Sequence, residues 1–487
     1  MASRKFCLIA AAALISVAVY LAYADFLYRL GFPLDDAWIH QTYARNLVEH
    51  GQWVYSAGKV SGGSTAPLWT LMLSGAYLLD LSPKIWAYSL GCGVLIATAW
   101  VCVQWYEKQS AGNRLSGAWL ALLIIFEWHL VWAALSGMET LLMGLLPVIF
   151  FLLMETDHPG FRMAGALVGL GVWIRPDAIL LLIAAIWILL FRSGPDSEPS
   201  RRLTSAWQLV SGFLPFFALY LLFNQFSAGA IWPTTFFAKQ AEYAVLLQTP
   251  LLGRVVNLIQ APLVGVGVLL LPAFLLRGSS LLRQRRLSQL APFLWVVVYF
   301  SAYLLRLPVT YQHGRYLMPI IPTSIVLGYL GLDNALRMTA EKLPIRALLR
   351  AWGLAIPVIT LAFWVIGARA YARDVAVIES EMVDTALWLS KNTANGAKIA
   401  AHDIGAVGYY AGRDLLDLAG LVSPDVIPII RDEQALKDVL DKEDVDYLVT
   451  FPGWYPYLSA VGEQLFTTGA RFSPEQGGEN MTVYRWP

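Results

Sequence analysis

The run Leu34-Asp35-Asp36-Ala37-Trp38-Ile39-His40-Gln41-Thr42-Tyr43-Ala44-Arg45-Asn46 gathers two adjacent carboxylates, an imidazole, a phenol and a guanidinium just after the first hydrophobic segment. A carboxylate within hydrogen-bond reach of a hydroxyl can take its proton as that hydroxyl attacks, which is general-base chemistry. The same Asp pair also suits a helix N-cap, where its oxygens accept free N–H groups and its charge meets the helix dipole. Position leaves both roles open for Asp35 and Asp36.

Lys239 follows Trp232-Pro233-Thr234-Thr235-Phe236-Phe237-Ala238, and Arg315 lies in Tyr311-Gln312-His313-Gly314-Arg315-Tyr316. Either cation suits a phosphate held at a membrane surface, Arg through its bidentate fork. Either also suits an interfacial anchor among aromatic rings. Glu139, in Gly137-Met138-Glu139-Thr140, and the Arg175/Asp177 pair fit structural ion pairing. Trp38, Trp69 and Trp232 suit anchoring at the membrane interface or stacking on a flat ligand surface. His40 and His313 can bind metal, but no H-x-x-x-H or equivalent spacing supports a divalent cation. Cys7, Cys92 and Cys102 all lie in apolar runs, with neither metal nor disulfide spacing.

The elements that must position these groups are hydrophobic. Of 487 residues 57% are hydrophobic and 14% charged, with a mean hydropathy of +0.56. A soluble domain is about a quarter charged. Repeated apolar stretches of bilayer length predict a polytopic α-helical membrane protein. Eleven spans are expected: 6–24, 84–106, 115–135, 138–155, 163–174, 178–191, 206–226, 255–276, 291–307, 318–336 and 352–371. Ala22-Tyr23-Ala24 has the form of a signal-peptidase site, but the run is long for a signal core and cleavage would free the polar cluster from its tether. An uncleaved first helix with a cytoplasmic N-terminus is expected. The basic loops around Lys108/Arg114, Arg162, Arg192/Arg201/Arg202, Arg277/Arg283/Arg285/Arg286 and Arg337/Lys342/Arg346/Arg350 then share the cytoplasmic side.

Segment 67–80 is read as a half-helix or the outer part of the second span, because a full span there would invert several basic loops. Arg175-Pro176-Asp177 is placed at the outer surface between two short helices, since lipid disfavours the charges and Pro breaks the helix. This topology brings loop 25–65, loops 136–140, 175–177, 227–250 and 308–315, and the whole tail to one extracytoplasmic face. The unusual polar residues converge there.

The tail, 372–487, differs from the membrane body, 1–371. It holds 18 of the 34 acidic residues and only 9 of the 35 basic ones. Helices at 379–392 and 431–442 alternate with strands at 398–402, 415–418, 445–451 and 481–485, predicting a small α/β domain. It carries neither GxGxxG nor a P-loop, so no nucleotide chemistry is assigned to it.

Asp35-Asp36-Ala37-Trp38-Ile39, Tyr43-Ala44-Arg45-Asn46-Leu47, Gly51, Gly58 and Gly62-Gly63-Ser64-Thr65-Ala66-Pro67-Leu68-Trp69 together resemble the first outer loop of GT-C glycosyltransferases. The resemblance is to the branch holding the mycobacterial terminal arabinofuranosyltransferases and many bacterial relatives. Ser136-Gly137-Met138-Glu139-Thr140, Arg175-Pro176-Asp177, Pro233-Thr234-Thr235-Phe236-Phe237-Ala238-Lys239 and Arg315-Tyr316-Leu317-Met318-Pro319 resemble later blocks in the same order. Asp403-Ile404-Gly405-Ala406 and Asp417-Leu418-Ala419-Gly420-Leu421 do so in the tail.

The resemblance implies transfer of a sugar from a polyprenyl-phosphate donor to a glycan, lipid or protein acceptor on the outer face of the cytoplasmic membrane. It implies inversion at the anomeric carbon, with an acidic residue of the first outer loop as base. On this reading Asp35 or Asp36 is catalytic, and Lys239, Arg315 and Tyr316 receive the donor phosphate. His40, Tyr43, Arg45, Trp69, Glu139, Trp232, Thr234 and His313 are the substrate-binding candidates. Thr234 stands where relatives often carry Asn, which bears on donor choice. Neither a cofactor nor a nucleic-acid partner is called for. Two rival readings are a polymerase or ligase using lipid-pyrophosphate glycans and a secondary transporter. The transporter reading lacks an internal repeat.

Overall fold

The computed structural model describes residues 2–56, 61–109, 115–156, 160–192, 199–338 and 343–487. Gly58, Arg114 and Lys342 lie outside the described residues. The first apolar run is the body of α1 (Ala2–Leu27), and the polar cluster forms α2 (Asp36–His50), which ends at left-handed Gly51. Segment 67–80 folds as two short helices, α3 (Pro67–Leu73) and α4 (Gly75–Leu78), in keeping with the half-helix expectation.

A full-length helix, α5 (Pro83–Gln109), comes next. The expected span at 115–135 is bent by 57° between α6 (Gly117–Phe126) and α7 (Trp128–Leu135). The buried Glu127 sits at the bend. Its carboxylate accepts the Leu130 N–H at 3.0 Å and lies 2.7 Å from His129 Nδ1, so the broken helix end is capped where it leaves the first axis. Three short apolar helices follow, α8 (Thr140–Met154), α9 (Phe161–Ile174) and α10 (Leu181–Phe191), with Arg175-Pro176-Asp177 between the last two.

The next elements are α11 (Pro199–Ala228), α12 (Thr234–Glu242), α13 (Leu251–Leu263) and α14 (Val266–Arg283). The single span expected at 255–276 is divided at Gly265, whose φ of 103° a side chain would disfavour. Then come α15 (Ala291–Arg306), a single turn α16 (Tyr311–Gly314), α17 (Ile321–Met338) and α18 (Leu343–Ile378). Among the described residues seven helices are long and apolar enough to cross a membrane, eight with the bent pair, and shorter apolar helices lie where the spans at 138–155, 163–174 and 178–191 were expected.

Small residues set the approach of α9 to α11. A Cβ on Gly165 would meet the Leu209 carbonyl oxygen at 2.1 Å, and one on Gly212 would meet that of Arg162 at 2.0 Å. Close backbone packing of this kind holds helices together in lipid, where hydrophobicity does not. It fixes the helix whose C-terminal end leads into α12 and Lys239.

The tail begins with α19 (Asp384–Asn392) and builds a five-stranded sheet from β1 (Lys398–Ala401), β2 (Asp414–Asp417), β3 (Tyr447–Thr450), β4 (Glu463–Thr467) and β5 (Thr482–Arg485), in the order β2-β1-β3-β5-β4. Strand β1 runs parallel to β2 and β3, and β5 antiparallel to β3 and β4. Alternate residues face opposite ways. Ile399, Val449 and Val483 join the core of the helical body, whereas Ala400, Leu448 and Tyr484 pack with α20 (Glu433–Lys442) and α21 (Pro456–Val461). Edge strand β4, with exposed and half-buried residues and little apolar alternation, was not among the expected strands.

Candidate active site

Neither Asp caps α2. Asp35 holds the N-cap position with helical dihedrals (φ −65°, ψ −37°) and makes no cap hydrogen bond. Its two carboxylate oxygens instead accept the backbone N–H groups of Gly405 and Ala406 from the tail, at 2.6 and 2.8 Å. A Cβ on Gly405 would lie 2.0 Å from the Asp35 carbonyl oxygen, so only glycine allows this approach. Burial, then the charge of Asp403, push the Asp35 carboxyl up to about 8 against the pull of those two N–H groups. The Tyr55 hydroxyl donates to the Ile404 carbonyl, and Trp38 packs against Tyr409 and Tyr410 at ring distances of 4.9 and 4.8 Å. The tail is thereby seated on the first loop.

Asp36 points the other way. Its Oδ2 accepts from Lys239 Nζ at 3.1 Å and from Arg315 Nη2, and the Tyr316 hydroxyl lies 3.1 and 3.2 Å from the same two nitrogens. Burial raises the Asp36 carboxyl, but the two cations outweigh it and hold the group below the usual carboxylate range. Arg315 Nη1 is buried and finds no acceptor among the described residues. Arg315 is delivered by three successive left-handed residues, Gln312 (φ 54°), His313 (φ 59°) and Gly314 (φ 68°). Two of these carry side chains and disfavour that conformation. The strap is tied down where His313 Nε2 meets Asp374 Oδ2 at 2.8 Å, an oxygen that also accepts from Trp132 at 2.9 Å.

Two cavities meet at this cluster. Asp36, Ile39, Lys239, Arg315, Tyr316 and Leu421 line both. The first, about 440 Å³, is walled by apolar groups such as Ile179, Trp232, Phe236 and Leu307. At one side it carries His40, Glu139, Arg175 and Asp177. Glu139 lies 3.7 Å from both His40 Nε2 and Arg175 Nη1, and its Oε2 has no hydrogen-bond partner among the described residues. The second cavity, about 800 Å³, is polar and lies between the helices and the tail. Glu242, His402, Asp403 and Arg431 line it, with His402 Nε2 3.5 Å from Glu242 Oε1.

Of the residues singled out in the sequence, Asp36, His40, Glu139, Trp232, Lys239, Arg315 and Tyr316 line the first cavity, and Asp35 borders the second. Five of the eight substrate-binding candidates line neither cavity. Trp69, 2% exposed, donates to the Gly137 carbonyl at 2.8 Å. Tyr43 ties the 61–63 loop through Ser61 and the Gly63 N–H, and Arg45 donates to the Tyr409 carbonyl at 2.8 Å. Thr234 donates to the Leu421 carbonyl at 3.3 Å, and His313 tethers the strap. These residues hold loops and dock the tail.

Sequence reasoning passed over Glu242 and His402, and gave Asp403 no role beyond its place in a tail block. The signals were there: Glu242 is three residues after Lys239 on the same helix, and His402-Asp403 follows the end of strand β1. Among the described residues no group of three or more His, Cys, Asp or Glu is placed to hold a metal ion.

Spans, loops and tail together give a multi-pass helical membrane protein whose fold is similar to that of ArnT. Two crystal structures of ArnT from Cupriavidus metallidurans carry this comparison. The one bound to undecaprenyl phosphate aligns with a TM-score of 0.58 at 13% identity, covering 98% of this chain and 97% of that one. The apo form gives 0.59 at 13% identity, covering 99% and 98%. A cryo-EM structure of the arabinofuranosyltransferase AftD from Mycobacteria aligns at 0.48 and 15% identity, over 97% of this chain and 39% of that one. A family described as a domain of unknown function (DUF8728) matches residues 360–484, the end of α18 and the tail. Comparison with curated protein sequences returns no match.

Proposed function

We propose that this protein is an inverting glycosyltransferase that moves a sugar from a polyprenyl-phosphate donor to an acceptor hydroxyl at the extracytoplasmic face of the cytoplasmic membrane. The observation that carries the proposal is the Asp36–Lys239–Arg315 cluster at the seam of an apolar and a polar cavity, with Arg315 Nη1 buried and lacking an acceptor. A buried guanidinium N–H without a partner is costly unless an anion meets it. A phosphate ester supplies that anion, and the apolar wall suits its hydrocarbon. The ArnT crystal structure with undecaprenyl phosphate supports such a donor.

In the proposed reaction the acceptor oxygen attacks the anomeric carbon as the bond from that carbon to the phosphate oxygen breaks. The bonding pair leaves with the phosphate, and the acceptor proton passes to Asp36. Attack opposite the leaving phosphate inverts the centre. Lys239 and Arg315 stabilise the charge that develops on the leaving group, so no general acid is required. Asp36 is the base in this scheme because it faces both cavities, whereas both oxygens of Asp35 are occupied by the tail. The arriving phosphate competes with Asp36 for Lys239 and Arg315, which raises the proton affinity of Asp36 when the donor is in place. Residues 1–371 form the catalytic module and 372–487 an outer domain that closes the polar cavity.

The test uses protein in lipid nanodiscs with pentose, hexose and amino-sugar polyprenyl phosphates and mixed envelope acceptors, following released polyprenyl phosphate. Turnover that survives Asp35→Asn and vanishes in Asp36→Asn, with donor still bound, supports the scheme. Equal turnover in both variants and the parent sinks it. Release only from pyrophosphate-linked glycans moves the protein to the polymerase or ligase class.

A further inference from the structure

The polar cavity is built by two parts of the chain that meet only in the fold. Asp36, Lys239, Glu242 and Tyr243 come from the helical body, and His402, Asp403, Arg431 and Trp454 from the tail. Its volume of about 800 Å³ lies within the range of roughly 300–1,000 Å³ that takes a ligand of several rings. Three features bear on what fits there.

First, Trp454 is 50% exposed beside the cavity, with the His402 ring edge-on at 4.9 Å. Tyr243 and Tyr311, also in the wall, lie 5.7 Å apart. Flat aromatic surface beside polar groups suits the apolar faces of sugar rings. Second, the polar groups are set as hydrogen-bonding partners. His402 is held between Glu242 and the Tyr455 hydroxyl, which is 2.7 Å from its Nδ1, while Asp403 Oδ2 has no partner among the described residues. A carboxylate oxygen left free at a cavity accepts from a ligand O–H or N–H. Third, the charge is unfavourable to anions. With Lys239 and Arg315 assigned to the donor phosphate, Glu242, Asp403 and Glu433 outnumber the remaining full cation, Arg431.

The geometry points to a neutral or amino-sugar glycan as the acceptor, bound in this cavity with one ring on Trp454 and a hydroxyl on Asp403. This inference rests on the glycosyltransferase reading and names its acceptor class. The binding residues come from the tail, so the tail selects the acceptor and the helical body activates the donor.

The experiment measures binding without turnover. Nanodisc-embedded full-length protein is titrated with fluorescently tagged neutral pentose and hexose tetrasaccharides, an amino-sugar tetrasaccharide, a uronic-acid tetrasaccharide and a Ser/Thr-containing peptide, read by anisotropy. Polyprenyl-phosphate binding is measured on the same samples. The expected result is binding of at least one neutral or amino-sugar tetrasaccharide, weakened at least tenfold by Trp454→Ala and by Asp403→Asn but retained in Trp69→Phe, whose ring lines neither cavity. The uronic-acid probe stays unbound. Thermal melting verifies that each variant folds, and Tyr455→Phe, which keeps the ring but frees His402, stands in if Trp454→Ala does not. Binding of the peptide or the uronic-acid probe in preference, or saccharide binding indifferent to these variants, overturns the acceptor assignment while intact polyprenyl-phosphate binding leaves the transferase reading standing. Failure to bind polyprenyl phosphate brings down both.

Discussion

Asp36 and Lys239 stand 203 positions apart in the chain, yet a carboxylate oxygen of one lies 3.1 Å from the ammonium of the other, at the seam between two cavities. An ion pair placed there is exchangeable, because an incoming anion can take the cation. A general base contributes a factor of about 10²–10⁴ in rate, and that is the role proposed for Asp36. Asp36→Asn is therefore expected to lower kcat by that range without raising the donor KM, since the amide no longer competes for the cations. Initial rates against donor concentration check both constants.

Arg315→Lys keeps the charge and removes the planar fork with its unpartnered Nη1. A hydrogen bond to a charged group contributes about 1.5–3 kcal/mol. Its loss is expected to reduce kcat/KM for the donor by roughly 10- to 100-fold, whereas an arginine that only anchors the strap would leave donor kinetics unchanged. Steady-state kinetics beside thermal melting separate the two.

Stability should fall as pH rises. Burial, with neighbouring carboxylates, raises Asp35 to about 8 and Asp403 to about 6. His402 is also raised: burial opposes its charge, but Glu242 and Asp403 outweigh that. Groups raised in the fold hold protons that the unfolded chain gives up, so Asp35 and Asp403 stabilise fully below about pH 4, and that stabilisation is lost as pH climbs through about 6 and 8. Asp36, which is lowered, acts the opposite way only below about pH 4. Melting temperature measured from pH 5 to 9 is expected to decline, and Asp35→Asn to flatten the decline. A rising profile contradicts the assignment.

Gly405→Ala puts a methyl against the Asp35 carbonyl oxygen. Overpacking of this sort costs about 1–3 kcal/mol. The tail should cleave faster under limited proteolysis, with the helical body still resistant.

Trp69→Phe removes the hydrogen bond to the Gly137 carbonyl and little else. A loss of about 1 kcal/mol in stability is expected with donor KM unchanged. A rise in donor KM would return Trp69 to the substrate-binding group.

What could be read from the sequence followed from strong physical signals. Apolar length marked the helices, and the half-helix at 67–80 followed from loop charges. Asp35-Asp36, Lys239 and Arg315 stood out as charges among apolar neighbours. The break at Gly265 was missed because composition stays apolar across it, and the bend at Glu127 because one carboxylate and one imidazole in a long apolar run do not by themselves end a span. The division of labour between Asp35 and Asp36 could not be seen, because it depends on Gly405 and Ala406, some 370 residues onward. That Tyr43, Arg45 and Trp69 bond to the chain's own backbone was not legible, because a polar or aromatic side chain carries no mark of which partner satisfies it. Glu242, His402 and Asp403 gained a common cavity only from tertiary packing.

The anchoring of Asp35 by Gly405 and Ala406 also bears on how the molecule is made. Gly405 and Ala406 follow Asp35 by some 370 positions, so the loop is synthesised long before the partners that hold it. A half-inserted chain has its helices in place and an unassembled site. Asp35 therefore gains its two N–H donors, and the polar chamber its second wall, only once the tail has folded onto the first loop.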